Sequence, residues 1–186
     1  REDLLNYHTK EHPLAIQLGG SDPATLREAS LIAEEKGFDE INLNVGCPSS
    51  RVQSGSFGAI LMKQPKLVRD CLELMVNAVN IPVTIKCRIG VDEMDEDKDL
   101  DRFVNIVQES GCSTFIIHAR KALLKGLSPK DNREIPPLNY DRVYNLKENF
   151  PDLEIIINGG IKSTQDVLAH LNKVDGVMVG RSAYED

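Results

Sequence analysis

No run of about 18 apolar residues occurs in the 186-residue sequence, so no segment is long enough to cross a membrane as a helix. The first twelve residues are polar and charged and lack the apolar centre of a secretory signal. Bases are in deficit. Lys and Arg number 22 against 29 Asp and Glu, a formal charge of −7, which excludes a wholesale basic coat for nucleic acid or membrane but leaves room for a local basic patch. Cysteine is scarce: Cys47, Cys71, Cys87 and Cys112 lie 24, 16 and 25 residues apart, a spacing that fits neither a CxxC metal motif nor a disulfide framework. A reducing, cytoplasmic setting without a bound metal is the expectation. An initiator methionine is also absent, and we expect a fragment of a longer protein. What is present, 41% hydrophobic and 27% charged residues, suits one sizeable globular core.

Apolar runs of strand character begin near Leu14, Glu40, Val83, Thr114, Leu153 and Gly176, and each but the last is followed by a stretch able to return as a helix. Between Ser21 and Lys36, Asp22 can cap, Pro23 suits the first turn, Leu26, Ala29, Ser30 and Ala33 share a face, and Gly37 ends the helix. From Gln64 to Val79, Pro65 opens a helix with Leu67, Cys71, Leu74, Met75 and Ala78 at helical spacing. Ser163 and Asp166 form a capping-box start for a helix carrying Val167, Leu168 and Leu171. Strict alternation of this kind yields a doubly wound sheet or a (β/α)8 barrel.

The placement of polar residues along the strands decides between the two. Successive strand side chains point to opposite faces, so Ile41, Leu43 and Val45 face one way and Asn42 and Asn44 the other. The same split sets Gln17, Asn44, Lys86, His118 and Asn158 near the C-terminal ends of five strands, with Arg181 just past the sixth. Convergence of polar residues from many strand ends is the layout of a barrel mouth. The expected fold is therefore an α/β (β/α)8 TIM barrel, incomplete, with about six of eight strands present and the other two upstream of Arg1.

Several residues have the chemistry for a site. The segment Asn42-Leu43-Asn44-Val45-Gly46-Cys47-Pro48-Ser49-Ser50 runs from a strand into a Gly-Cys-Pro turn that holds a thiol at the rim, as acid, nucleophile or plain turn cysteine. Cys71, Cys87 and Cys112 read as small buried hydrophobes. Asn158-Gly159-Gly160 and Gly180-Arg181 follow the last two strands, where glycines let backbone N–H groups approach an anion; a tight turn is the plainer reading of either alone. Lys86 and His118 are open to structural pairing or to ligand binding.

These motifs, Gln17 in Ala15-Ile16-Gln17-Leu18, Asn42 to Ser49, Lys86-Cys87-Arg88, His118-Ala119-Arg120, Asn158-Gly159-Gly160 and Gly180-Arg181, resemble in order the flavin-dependent tRNA-dihydrouridine synthases. Ser128-Pro129-Lys130-Asp131-Asn132-Arg133-Glu134-Ile135-Pro136-Pro137 resembles a loop of the A-type subgroup. The resemblance implies FMN held by Gln17, Lys86, His118, Asn158, Gly159, Gly160, Gly180 and Arg181, with NADPH as electron donor. It implies Cys47 as proton donor to the uracil ring, Asn44 as a uracil-orienting group, and tRNA as partner. It also implies that residues 1–186 are a partial catalytic barrel, without the first two strands and the helical tRNA-binding domain.

Residues 120 to 147 hold seven bases against three acids and offer a surface for an RNA backbone, with Lys130 and Arg133 as candidate contacts. Asp92 to Asp101, with seven acids and one lysine, is expected to face solvent and repel RNA. Two other readings stay open at this point: a free-pyrimidine FMN oxidoreductase resembling dihydroorotate dehydrogenase, and a non-catalytic RNA-binding barrel remnant.

Overall fold

The computed structural model describes residues 5–49 and 55–184; Ser50, the last residue of the turn motif, lies outside them. Six strands form where expected, to within a residue: β1 Ala15–Leu18, β2 Glu40–Asn44, β3 Val83–Arg88, β4 Thr114–His118, β5 Glu154–Asn158 and β6 Gly176–Met178. Among the described residues five α-helices connect them: α1 Pro23–Glu35, α2 Pro65–Val76, α3 Lys98–Val107, α4 Tyr140–Asn149 and α5 Thr164–Leu171. Local chemistry sets their starts. Asp22 accepts the Thr25 N–H at 2.8 Å ahead of Pro23, and Ser163 and Asp166 form the reciprocal capping box.

All strands are parallel and their spatial order is their chain order, β1 to β6. With no reversal, right-handed crossovers put every helix on the same side of the sheet. That is the winding of a barrel, and the chain forms six strands of one. The side toward the helices holds the core: Ile41, Leu43, Ile85, Cys87, Phe115, Ile117, Ile155 and Ile157 from the strands meet Leu26, Met75, Phe103, Val107 and Leu146 from the helices. Burying each large apolar side chain contributes roughly 1.5–3 kcal/mol before chain entropy is offset. Asn42, Asn44, Lys86, His118 and Asn158 alternate to the other side, toward the barrel axis.

Two helix faces differ from the sequence expectation. On α2 the inward stripe is Val68, Cys71, Leu72 and Met75, and Leu74 points outward. On α5, His170 is buried while Leu168 and Leu171 are 59% and 45% exposed. The reason is positional: α5 lies over β6, which among the described residues pairs on one side only, so the helix's outer leucines stay exposed.

The acidic run also departs from expectation. It is not simply a solvated face, because several of its members clasp the loop after β4. Val91 bridges to Ala122, the Asp92 carboxylate accepts the Leu124 N–H at 2.8 Å, and Asn139 donates to Glu96 at 2.9 Å. Arg142, 3% exposed, donates to the Glu96 and Asp97 carbonyls and pairs with Asp97 and Asp101. A buried guanidinium needs such partners, and the acidic segment supplies them.

Candidate functional site

At the C-terminal ends of the strands lies a cavity of about 630 Å³. Every residue singled out from the sequence lines it except Lys130. Barrel winding explains the convergence: five strands, β1 to β5, point their last inward residue at one space, and the turn after β6 adds Gly180 and Arg181.

The Cys47 turn is shaped by Asn44. Its carboxamide oxygen accepts the N–H groups of Gly46 at 3.1 Å and Cys47 at 3.0 Å, and its Nδ2 donates to Gln17 at 2.8 Å. This side-chain mimic of a turn fixes the backbone as the chain leaves β2. Ala59 N–H donates to the Cys47 carbonyl at 2.9 Å, and Arg88 Nε donates to the Gly46 carbonyl at 3.2 Å. The half-buried Cys47 thiol lines the cavity, whereas Cys71, Cys87 and Cys112 are buried and burial pushes their thiols up to about 11, 12 and 12.

The cavity wall is cationic. Lys86, Arg88, Arg120, Arg133, Lys162 and Arg181 line it with a single carboxylate, Glu134, which pairs with Arg181 at 3.3 Å. Burial, reinforced by Arg88, lowers the Lys86 ammonium to about 8. Lys86 Nζ donates to Asn158 Oδ1 at 2.9 Å, and Asn158 Nδ2 to the Met178 carbonyl at 2.9 Å, joining the ends of β3, β5 and β6. Burial and then the charges of Arg88 and Lys86 push His118 down to about 2, so its ring is neutral at physiological pH. His118 Nε2 and Arg120 Nε are buried without a hydrogen-bond partner. An orphaned polar atom is costly in a finished interior and fits a surface built for a polar ligand.

Sequence reasoning quotes Arg88 and Arg120 in the motifs, and Arg120 in the basic segment, but gives neither a role in the site, although Arg88 follows Lys86 by one strand period and Arg120 follows His118 by two residues. Arg88 donates to the carbonyls of Gly46, Lys121 and Asn132, tying the Cys47 turn to the loop after β4. Arg120 holds the same loop through the Glu134 and Pro136 carbonyls.

The glycine turn after β5 has no room for side chains. Gly159 and Gly160 have φ of +114° and +70°, and a Cβ would fall 2.8 Å from His118 Cδ2 or 2.6 Å from Leu138 Cδ1. Gly180 is different: a Cβ there meets nothing within 4 Å, so protein packing does not demand glycine and the bare backbone leaves space in the cavity.

The basic segment divides. Arg133 lines the cavity, while Lys130 is exposed outside it on the same 3-10 turn region. Arg142 and Lys147 leave the expected patch altogether. Arg142 is buried against the acidic segment, and Lys147 donates to the Pro151 and Leu153 carbonyls and pairs with Asp175 at 2.8 Å. Both belong to α4, whose contacts turn them toward neighbouring loops. Among the described residues no group of three or more His, Cys, Asp or Glu is placed to hold a metal ion, and no helix is long and apolar enough to cross a membrane.

Comparison with known proteins agrees with this geometry. Residues 1–186 match the family described as dihydrouridine synthase (Dus). The tRNA-dihydrouridine(20/20a) synthase of Shewanella oneidensis is 58% identical over 186 residues, which are 100% of this chain and 56% of that protein. Those of Synechocystis sp. and Escherichia coli K12 are 59% and 60% identical over 186 and 185 residues, 100% and 99% of this chain, and 56% and 54% of those proteins. The chain thus spans about half the length of these relatives. A solved structure, a 2-naphthoyl-CoA reductase complex with 2-naphthoyl-CoA, superposes with a TM-score of 0.64 at 9% identity over 83% of this chain and 26% of that one, a likeness of fold.

Proposed function

This chain belongs to the dihydrouridine synthase family, and from that premise we propose that it carries the catalytic chemistry of a tRNA-dihydrouridine synthase: FMN-dependent reduction of the uracil C5=C6 bond of tRNA uridine, with NADPH as electron donor. The observation that carries this reading is that Cys47, at the end of β2, and the glycine turns at the ends of β5 and β6 line one cavity. A thiol and an anion site therefore face the same space.

The residues fit a flavin mononucleotide. An orphaned His118 Nε2, a glycine turn that excludes side chains and a surplus of cations suit a ligand rich in acceptors with one phosphate. When bound in reduced form, FMN supplies hydride to uracil C6. Lys86 Nζ, still largely protonated at neutral pH, offsets negative charge on the ring system. Gln17, His118 and Asn158 orient the ring edge. Gly159, Gly160, Gly180 and Arg181 take the phosphate, and Arg181 must then exchange Glu134 for it.

Addition at C6 leaves charge delocalised onto the uracil C4 carbonyl, and C5 needs a proton. Cys47 Sγ donates it, and Asn44, by fixing the turn, places that sulfur. Lys130 and Arg133 lie toward the RNA backbone, and a cytoplasmic setting suits action on tRNA. The test is to load the purified protein with FMN, add NADPH and unmodified tRNA, and measure dihydrouridine by mass spectrometry, with orotate and free uridine as alternative substrates. Dihydrouridine in tRNA alone supports the reading. Turnover of the free pyrimidine alone, or tRNA binding without flavin uptake, overturns it.

A further inference from the structure

Behind the glycine turn stands Tyr140, the first residue of α4, which lines no part of the cavity. Its hydroxyl donates to the Gly159 carbonyl at 2.8 Å, and a Cβ on Gly160 would lie 3.0 Å from that same oxygen. The residue is held from two sides. Asn139, just before it, donates its N–H to the Ala119 carbonyl at 2.8 Å at the end of β4. The Tyr140 ring meets His170 of α5 edge-on at 4.5 Å, and His170 Nδ1 is 2.7 Å from the Tyr144 hydroxyl.

The peptide between Gly159 and Gly160 is trans, so its C=O and N–H point in opposite directions. A carbonyl turned back toward Tyr140 turns the Gly160 N–H forward. Glycine is the residue in which such a peptide rotates most freely, and both neighbours have positive φ, so the side-chain contact decides the orientation. We propose that Tyr140 is a positioning residue: through the Gly159 carbonyl it aims the Gly160 N–H into the cavity as a donor to a phosphoryl oxygen. This rests on the reading of the turn as the flavin phosphate site.

The test compares FMN with riboflavin, which has the same rings and no phosphate. In Tyr140→Phe the FMN dissociation constant rises about tenfold, the scale of one hydrogen bond to an anion, while that of riboflavin stays within twofold. Tyr144→Phe, in the same cluster but without contact to the turn, changes the ratio of the two constants little. In the unsubstituted protein the Gly160 amide proton resonance moves downfield as inorganic phosphate is added, a readout that needs no variant to fold. Equal loss of both flavins in Tyr140→Phe, no loss of either, or a stationary Gly160 resonance overturns the proposal. Equal affinity of the unsubstituted protein for FMN and riboflavin overturns the phosphate reading itself, and the proposal with it.

Discussion

Two groups of polar side chains point toward the axis of the same sheet, and they behave in opposite ways. Deep on β1 to β3, Gln17 donates to Asn42 at 2.7 Å, Asn42 to Thr84 at 2.8 Å and Thr84 to Glu40 at 2.6 Å, so each side chain spends its hydrogen-bonding capacity on the next. Toward the ends of β3 to β6, Lys86 and Arg88 reach only neutral acceptors, and His118 Nε2 and Arg120 Nε reach none. The first group is a closed ladder that pins strand register. The second keeps capacity for a ligand, at a cost in stability that the ladder and the core must cover. Polarity facing a barrel axis therefore does not by itself identify a site: Asn42 and Thr84 line no part of the cavity, Lys86, Arg88, His118 and Arg120 do, and Gln17, where the ladder meets the rim, belongs to both.

The sharpest break in this contrast is chemical. Cys47→Ala is expected to lower uridine reduction in a single turnover with reduced enzyme by about 10²–10⁴-fold, the usual contribution of a general acid, and to leave FMN affinity unchanged. Cys71→Ala and Cys112→Ala, both in the core, are expected to lower stability by about 1 kcal/mol and spare the reaction. Turnover unchanged in Cys47→Ala removes the thiol from the mechanism.

Next in size is the acid response of the rim. His118 titrates near 6.5 when unfolded and near 2 when folded, so between these values the unfolded chain binds the extra proton. The His118 contribution is complete above pH 6.5 and is lost as pH falls below it, by up to about 1.4 kcal/mol per pH unit. Thermal melting from pH 7 to pH 4 should fall less steeply in His118→Asn than in the unsubstituted protein. Parallel slopes contradict a histidine held neutral.

Breaking the ladder tests the other side. Thr84→Val removes an acceptor for Asn42 and a donor to Glu40 and is expected to cost about 1–3 kcal/mol in denaturant unfolding with FMN affinity intact. A large loss of FMN affinity without loss of stability erases the distinction between ladder and rim. The smallest expected effect separates two cations that sit together in sequence. Lys130→Ala should reduce the salt slope of tRNA binding by about 1 and leave FMN affinity alone. Arg133→Ala should change both, because Arg133 lines the cavity. Identical behaviour of the two variants leaves the loop undivided.

Much of this was legible in the residues themselves. Period-two alternation in Ile41 to Val45 is enough to send Asn42 and Asn44 to the barrel axis and the apolar residues to the helices, because a strand's side-chain direction is set by its own backbone. The cap at Asp22, the capping box at Ser163 and the Gly-Cys-Pro turn are local for the same reason. The α5 stripe was not legible: Leu168 and Leu171 carry the helical spacing, but spacing does not say which neighbours the sheet will offer.

What only the tertiary structure decided are the partnerships between residues far apart in the chain. Alternation treats Asn42 and Asn158 alike, yet strand register pairs one with Gln17 and Thr84 away from the cavity and the other with Lys86 and the Met178 carbonyl on its wall. Composition treats Arg133 and Arg142 alike, yet α4 carries Arg142 against Asp97 and Asp101, and the preceding turn leaves Arg133 on the cavity wall. The sequence by itself determined which strand side chains share a face, since that follows from covalent geometry within one element. Folding determined which charges are neutralised and which hydrogen bonds are left unspent, since those depend on distances between residues far apart in the chain that no local pattern encodes.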